Sequence, residues 1–414
     1  MVSRRAFVKN SALALVGTAA VPSFLVRSVM AEQATARLSG KKLVILFQRG
    51  AADGLNIVVP YREKNYYAMR SSIAIQPKDV LDLDGQFGLH PALAPLLPLF
   101  QQKQLAVVHA VGSPDVTRSH FDAQDYMESG TPGNKGTQDG WLNRALQAER
   151  LDPKASTAFR AVALGSQVPR TLQGRLPAVA VSNLQDFSVG GRGPFVSATS
   201  NAFQAMYAGA KDRILSGEGE ETFEAVKMLK AADPAHYQPA AGVVYANTPF
   251  SNSLKQIAQL LKANLGVEAA FADIGDWDTH QAQGGIQGRL ANRLREFSEA
   301  IAAFWNDMGQ DAEQITLVTM SEFGRTARQN GTGGTDHGHG NVMFVLGGGV
   351  RGGKVYGQWP GLDDAQLNEG RDLAVTTDFR QVLGEAAYST LGTRDLASIF
   401  PGAALTPAQF LRFA

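Results

Sequence analysis

The chain has 414 residues with 39 basic and 38 acidic side chains, so its formal charge of +1 gives no electrostatic footprint for nucleic acid. No basic stripe or aromatic-studded basic run supplies one locally. Cysteine is absent, which excludes disulfides and thiolate sites; any metal must be held by histidine, carboxylate, hydroxyl or water.

The chain opens with an address. Ser3-Arg4-Arg5-Ala6-Phe7-Val8-Lys9 precedes an apolar run from Ala12 to Val26, and Val29-Met30-Ala31 offers small residues for cleavage, the pattern of a twin-arginine export signal over residues 1–31. The apolar run is shorter than the roughly 20 residues a bilayer span needs, so no stable membrane span is expected. The expected partner is the twin-arginine translocase, and the expected location is periplasmic or secreted. Removing the signal takes away four basic residues and no acidic one, leaving 35 basic against 38 acidic. Export in the folded state is consistent with a prosthetic group loaded before transport. The rest can form one large α/β domain, over residues 38–410, with no internal repeat or low-complexity tract.

Lys41 to Phe47 is a continuous apolar run of the kind buried on both faces in parallel sheets. It leads into Arg49-Gly50-Ala51-Ala52-Asp53-Gly54, where a carboxylate at a strand's C-terminal end is either a ligand-binding group or the cap of a turn. Pro91 to Gln102 predicts a helix and Leu105 to Val111 a second buried strand, within which His109 reads as a core histidine. Arg118-Ser119-His120-Phe121 then starts a helix. Ser119 there is either an N-cap or a nucleophile in the positive field of the helix start, with His120 beside it.

Residues 130–250 carry Gly-rich loops, short strands at Ala161 to Leu164 and Ala178 to Val181, a charged helical stretch and a polar linker, and read as an insertion or lid. The sheet pattern resumes with a helix at Ser253 to Asn264 and a strand at Val267 to Ile274 ending in Asp276-Trp277-Asp278-Thr279-His280. Asp278 with His280 would share one side of an extended chain, and Asp276 with His280 one face of a helix; either pair can chelate. A helix over Arg289 to Met308 leads to the strand Ile315 to Met320.

Ser321 to Asn341 follows, with Glu322, Arg325, Asp336, His337 and His339 in one Gly-rich connection. Glycine lets backbone approach closely, while carboxylate oxygen and imidazole nitrogen together suit a zinc-like ion. A metal site at the C-terminal edge of a sheet is the expectation. Val342 to Leu346 is another strand, and Asp378 caps a late helix. Neither an HExxH helix nor a GxSxG elbow is present to support a peptidase.

The succession RGAADGLN, RSHF, DWDTH, SEFGRT, GTDHGHGN, GGGVRGG and TTDFR resembles the domain of unknown function 1501 family. That family is similar in motif order to the alkaline phosphatase and sulfatase superfamily. The resemblance implies an alkaline-phosphatase-like α/β fold, a central mostly parallel sheet flanked by helices with an inserted lid, and a divalent metal centre, zinc before Mg, Mn or Ca. Carried over, it makes Asp53 a metal carboxylate and Ser119 the nucleophile. Asp278 with His280, and Asp336 with His337, become further ligands, with Glu322 nearby. The superfamily's downstream histidine is missing here, so either His339 takes that role, or the centre holds one ion, or the site is degenerate. Arg325 or Arg118 would neutralise an ester's oxygens. The implied activity is metal-dependent hydrolysis of small-molecule or polymer phosphate or sulfate esters, with two ions about 3.5–4 Å apart. The alternative is an exported binding or assembly protein that keeps the fold without turnover.

Overall fold

The computed structural model describes residues 40–148, 159–184 and 237–405. The export signal predicted over residues 1–31 lies outside them.

The elements that place the site are, in order, β1 (Lys42–Gln48), β2 (Leu105–Gly112), α1 (His120–Ser129), α2 (Trp141–Ala148), β3 (Ala161–Leu164), β4 (Val179–Val181), α3 (Pro249–Lys262), β5 (Ala269–Ile274), α4 (Arg289–Met308), β6 (Ile315–Met320), β7 (Asn341–Gly347), β8 (Lys354–Tyr356), β9 (Thr377–Asp378) and α5 (Phe379–Leu391). The nine strands form one sheet in the order β8-β2-β7-β6-β1-β5-β3-β4, with β9 paired to β2. β1 lies near the middle and pairs in parallel on both sides, Val44 opposite Ala270 of β5 and opposite Leu317 of β6.

Period-two alternation sends the residues of β1 into two cores. Leu43, Ile45 and Phe47 pack with Phe271 and Met320 against Trp141 of α2 and Phe379 and Leu383 of α5. Val44 and Leu46 pack with Ala270 and Leu317 against Ile257 of α3 and Leu294, Phe297 and Phe304 of α4. The result is a three-layer α/β/α arrangement, and burial on both faces is why these strands read as continuous apolar runs.

β7 runs antiparallel to both β6 and β2, so β2 points the same way as β1, β5 and β6. All four strands therefore end at one edge. Because β7 returns from that edge, the whole connection from Ser321 to Gly340 stays there rather than crossing the sheet.

One expectation is corrected in detail. Over residues 91–102 the helix starts as a 3₁₀ segment, Pro91–Leu96, and becomes α only over Leu97–Gln101, because Pro95 and Pro98 remove backbone donors. Of the region read as a lid, residues 149–158 and 185–236 lie outside the described residues. The remainder supplies α2 and extends the main sheet, β3 pairing in parallel with β5 and β4 with β3.

Candidate metal centre

Three loops deliver the polar groups, from the C-terminal ends of β2, β5 and β6. After β2, Ser119 caps α1 by accepting a hydrogen bond from the Asp122 N–H at 3.4 Å, which sets His120 as the first helical residue. After β5 the chain stays extended enough for Asp278 and His280 to face the same way, while Asp276, at φ +64°, turns outward to pair with Arg293 at 2.7 Å. After β6 comes the Gly-rich connection, where a Cβ on Gly334 would overlap the carbonyls of Thr279 and His280. Only glycine lets the two loops touch backbone to backbone at that point.

Three imidazoles converge. Nε2 of His337 lies 3.0 Å from Nε2 of His120 and 3.0 Å from Nε2 of His280. The Asp278 carboxylate closes the group, with Oδ1 3.1 Å from the His280 Nε2 and 3.4 Å from that of His337, and Oδ2 3.6 Å from that of His120.

The other nitrogen of each ring is already engaged. Nδ1 of His120 meets Glu322 Oε1 at 2.8 Å, Nδ1 of His280 meets Asp336 Oδ1 at 2.9 Å, and Nδ1 of His337 meets the Arg118 carbonyl at 3.0 Å. Since all three partners are acceptors, these contacts assign the proton to Nδ1 and leave a lone pair on each Nε2. Three lone pairs then point at one another beside a carboxylate. One proton can bridge one pair of nitrogens, but the second pair and Asp278 stay unsatisfied. A divalent cation suits His120, Asp278 and His337, whose ligand atoms all lie within 4.8 Å of one another, with His280 beside them. Outward Nδ1–H bonds to carboxylates and carbonyls are how metal-binding histidines are oriented.

The surrounding charges tune these groups. Burial opposes the charge on Asp278, yet Arg325, whose Nη1 donates to Oδ1, outweighs it and holds the carboxyl below its usual range. Glu322 is almost fully buried, which alone would raise its pKa; bonds from His120, from Gln124 Nε2 at 2.9 Å and from the Gly50 N–H at 2.8 Å reverse that. The bond to Glu322 raises the pKa of His120. Burial, then the neighbouring His120 and Arg325, lower that of His337. The amide of Asn330 does most to lower that of Asp336.

Several residues expected at the centre lie elsewhere. Asp53 is buried against Arg70, Oδ2 to Nη1 2.6 Å, and also accepts from Gln283 Nε2 at 2.6 Å. Nε2 of His339 faces the Ser113 carbonyl at 2.8 Å, away from the three converging rings. Arg325 is fully buried, committed to Asp278 and Thr335, and cannot meet a substrate directly. Glu322 and Asp336 stand behind imidazoles rather than among the converging nitrogens. His120, read beside a nucleophile, stands among them; its only signal in sequence was its place just after a strand. Arg70, Gln124, Gln283 and Asn330 belong to no motif and were not expected.

A sequence model of the family described as "Protein of unknown function (DUF1501)" matches residues 40–392. The chain belongs to this family. Among curated proteins none matches. In structure, the DUF1501 chain is similar to the sulfatase PsFucS1 from Pseudoalteromonas sp. (TM-score 0.40, 11% identity, 94% of this chain and 75% of that one). It is also similar to the alkaline phosphatase PafA (TM-score 0.33, 9% identity, 70% of this chain). It spans 63% of the phosphatase, less than two thirds of that protein's length. These likenesses are remote, and the reading of the site rests on its own geometry.

Proposed function

We propose that this DUF1501 protein is an exported metal-dependent hydrolase of phosphate or sulfate esters. The observation that carries the metal is the convergence of three Nε2 atoms whose rings are all oriented from behind by acceptors. In this reading His120, His337 and Asp278 are the ligands, His280 stands beside them against His337 and Asp278, and Glu322 and Asp336 orient the His120 and His280 rings. A donor set of imidazoles with one carboxylate favours zinc over Mg or Ca, which prefer oxygen. When bound, the cation supplies Lewis acidity toward an ester oxygen and lowers the pKa of a hydroxyl or water beside it.

The chain's own residues supply the rest. Ser119 directly precedes His120 and its hydroxyl stands at the positive end of α1, where an anionic ester is favoured. It is the proposed nucleophile: its oxygen would bond to phosphorus or sulfur as the ester's bond to the alcohol oxygen breaks, the hydroxyl proton passing to solvent and the leaving oxygen taking one from it. Water would then cleave the covalent intermediate to free the serine and the inorganic product. Arg118 and Arg371 are the cations at the rim. Arg118 pairs with Asp372 and Glu369 but stays 28% exposed, and Arg371 donates to the His337 carbonyl while 39% exposed. Either can turn spare N–H groups toward ester oxygens. Arg325 acts from behind, fixing Asp278.

The test is metal analysis of natively exported protein together with turnover of aryl phosphate and aryl sulfate esters. Stoichiometric metal with ester cleavage that Ser119→Ala lowers at least about 100-fold, while metal content is unchanged, is the expected result. Stoichiometric metal without any ester cleavage would favour an exported binding protein that keeps the centre.

A further inference from the structure

We infer that the centre holds a single cation, because the carboxylate a second ion would use is already bound to a resident cation, the Arg70 guanidinium. The inference rests on the metal reading above and narrows it. Asp53 stands on the loop after β1, at the same sheet edge as the histidines, where the motif resemblance puts a metal carboxylate. Its Oδ2 instead receives Arg70 Nη1 and Gln283 Nε2, both at 2.6 Å, and the side chains of Asp53 and Arg70 are 1% and 0% exposed.

Arg70 cannot swing aside to make room. Its Nε donates to the Ala327 carbonyl at 2.9 Å, Nη2 to the Thr326 carbonyl at 2.8 Å, and Nη1 also to Asn56 Oδ1 at 2.8 Å. The guanidinium is the cation that this carboxylate already faces. A divalent ion at Asp53 would face that fixed positive charge across one carboxylate, in a dry environment where repulsion is poorly screened. The remaining oxygen, Oδ1, is buried with no hydrogen-bond partner. Among the described residues the one group of three or more side chains spaced to hold an ion, His120, Asp278 and His337, does not include Asp53.

The inference separates this chain from a two-ion hydrolase. Chemistry that needs a second ion must here be done by fixed charge, with Arg118 and Arg371 at the rim as the available groups.

The experiment is zinc stoichiometry by native mass spectrometry on the purified exported chain, with dissociation constants from chelator competition. Wild type is expected to bind one zinc. Asp53→Asn, which keeps the shape of the side chain, is expected to bind one zinc with a Kd within about threefold of wild type, whereas His337→Ala should weaken binding beyond about 100-fold. Two zinc ions per wild-type chain overturn the single-ion inference and leave the hydrolase reading standing. So does a folded Asp53→Asn variant, judged by circular dichroism, that loses affinity about 100-fold. A wild-type chain that binds no zinc, manganese or iron removes the metal reading and this inference with it. The wild-type stoichiometry decides even if the variant does not fold.

Discussion

Two sets of histidines in this chain differ in how their nitrogens are used. His90 and His109 engage both. His109 Nε2 faces the Val58 carbonyl at 2.9 Å while Nδ1 accepts the Ala110 N–H at 2.9 Å, and His90 bridges the Gly285 carbonyl and the Ala92 N–H at 3.0 Å each. Such a ring needs no ion, and a proton on its accepting nitrogen would break a bond. His120, His280 and His337 engage only Nδ1 and turn Nε2 toward one another. The difference lies in the chemistry of the partners: carbonyl plus amide N–H completes an imidazole, whereas an acceptor on one side alone leaves a lone pair aimed at whatever fills the space.

The largest expected effect is at the converging set. His337→Ala removes the nitrogen common to both 3.0 Å contacts, so metal affinity should fall by more than the roughly 100-fold that marks the loss of an orienting partner. Isothermal titration with zinc at neutral pH measures it, and unchanged affinity would place the ion elsewhere.

Next in size is the acid sensitivity of the completed set. Burial of His109 lowers its pKa to about 4. The unfolded chain takes up the proton near pH 6.5 and the folded one does not, so the contribution is present above pH 6.5 and is lost as pH falls from there to about 4. The loss amounts to about 3 kcal/mol. Urea titrations at pH 7 and 4.5 should show a smaller stability difference for His109→Gln than for wild type; equal differences would mean that His109 does not titrate this way.

Glu322→Gln sharpens the comparison from the side of the orienting groups. The amide keeps an acceptor for His120 Nδ1 but loses the charge, and zinc affinity is expected to drop about 10- to 100-fold. It should also lower the pKa of His120, which the carboxylate raises, so the acid limb of zinc binding moves to lower pH. A variant indistinguishable from wild type in both readouts would leave Glu322 with a packing role only.

The smallest effect is expected at His339. It lies in the same GTDHGHGN stretch as His337, yet its Nε2 faces the Ser113 carbonyl, so His339→Gln should change zinc affinity by less than about threefold. An effect as large as that of His337→Ala would place His339 among the ligands.

Much of this was legible in the chain itself. Apolar runs such as Leu43 to Phe47 and Ile315 to Met320 have to be buried on both faces, which fixes a parallel sheet with helices above and below, and Gly-rich loops after such strands fix the edge where polar groups gather. Asp278, His280 and His337 could be marked because carboxylate and imidazole two apart after a strand, or side by side in a loop of glycines, have few other uses. What the sequence could not settle is which polar group meets which. Whether Asp53 meets an ion or a guanidinium depends on Arg70, 17 residues away in an unremarked segment. Whether Glu322 and Asp336 bind a cation or stand behind a ring depends on how loops from β2, β5 and β6 approach one another. Local pattern encodes burial because burial repeats with the period of the strand or helix. Pairing across loops has no period, and distance in space alone decides it.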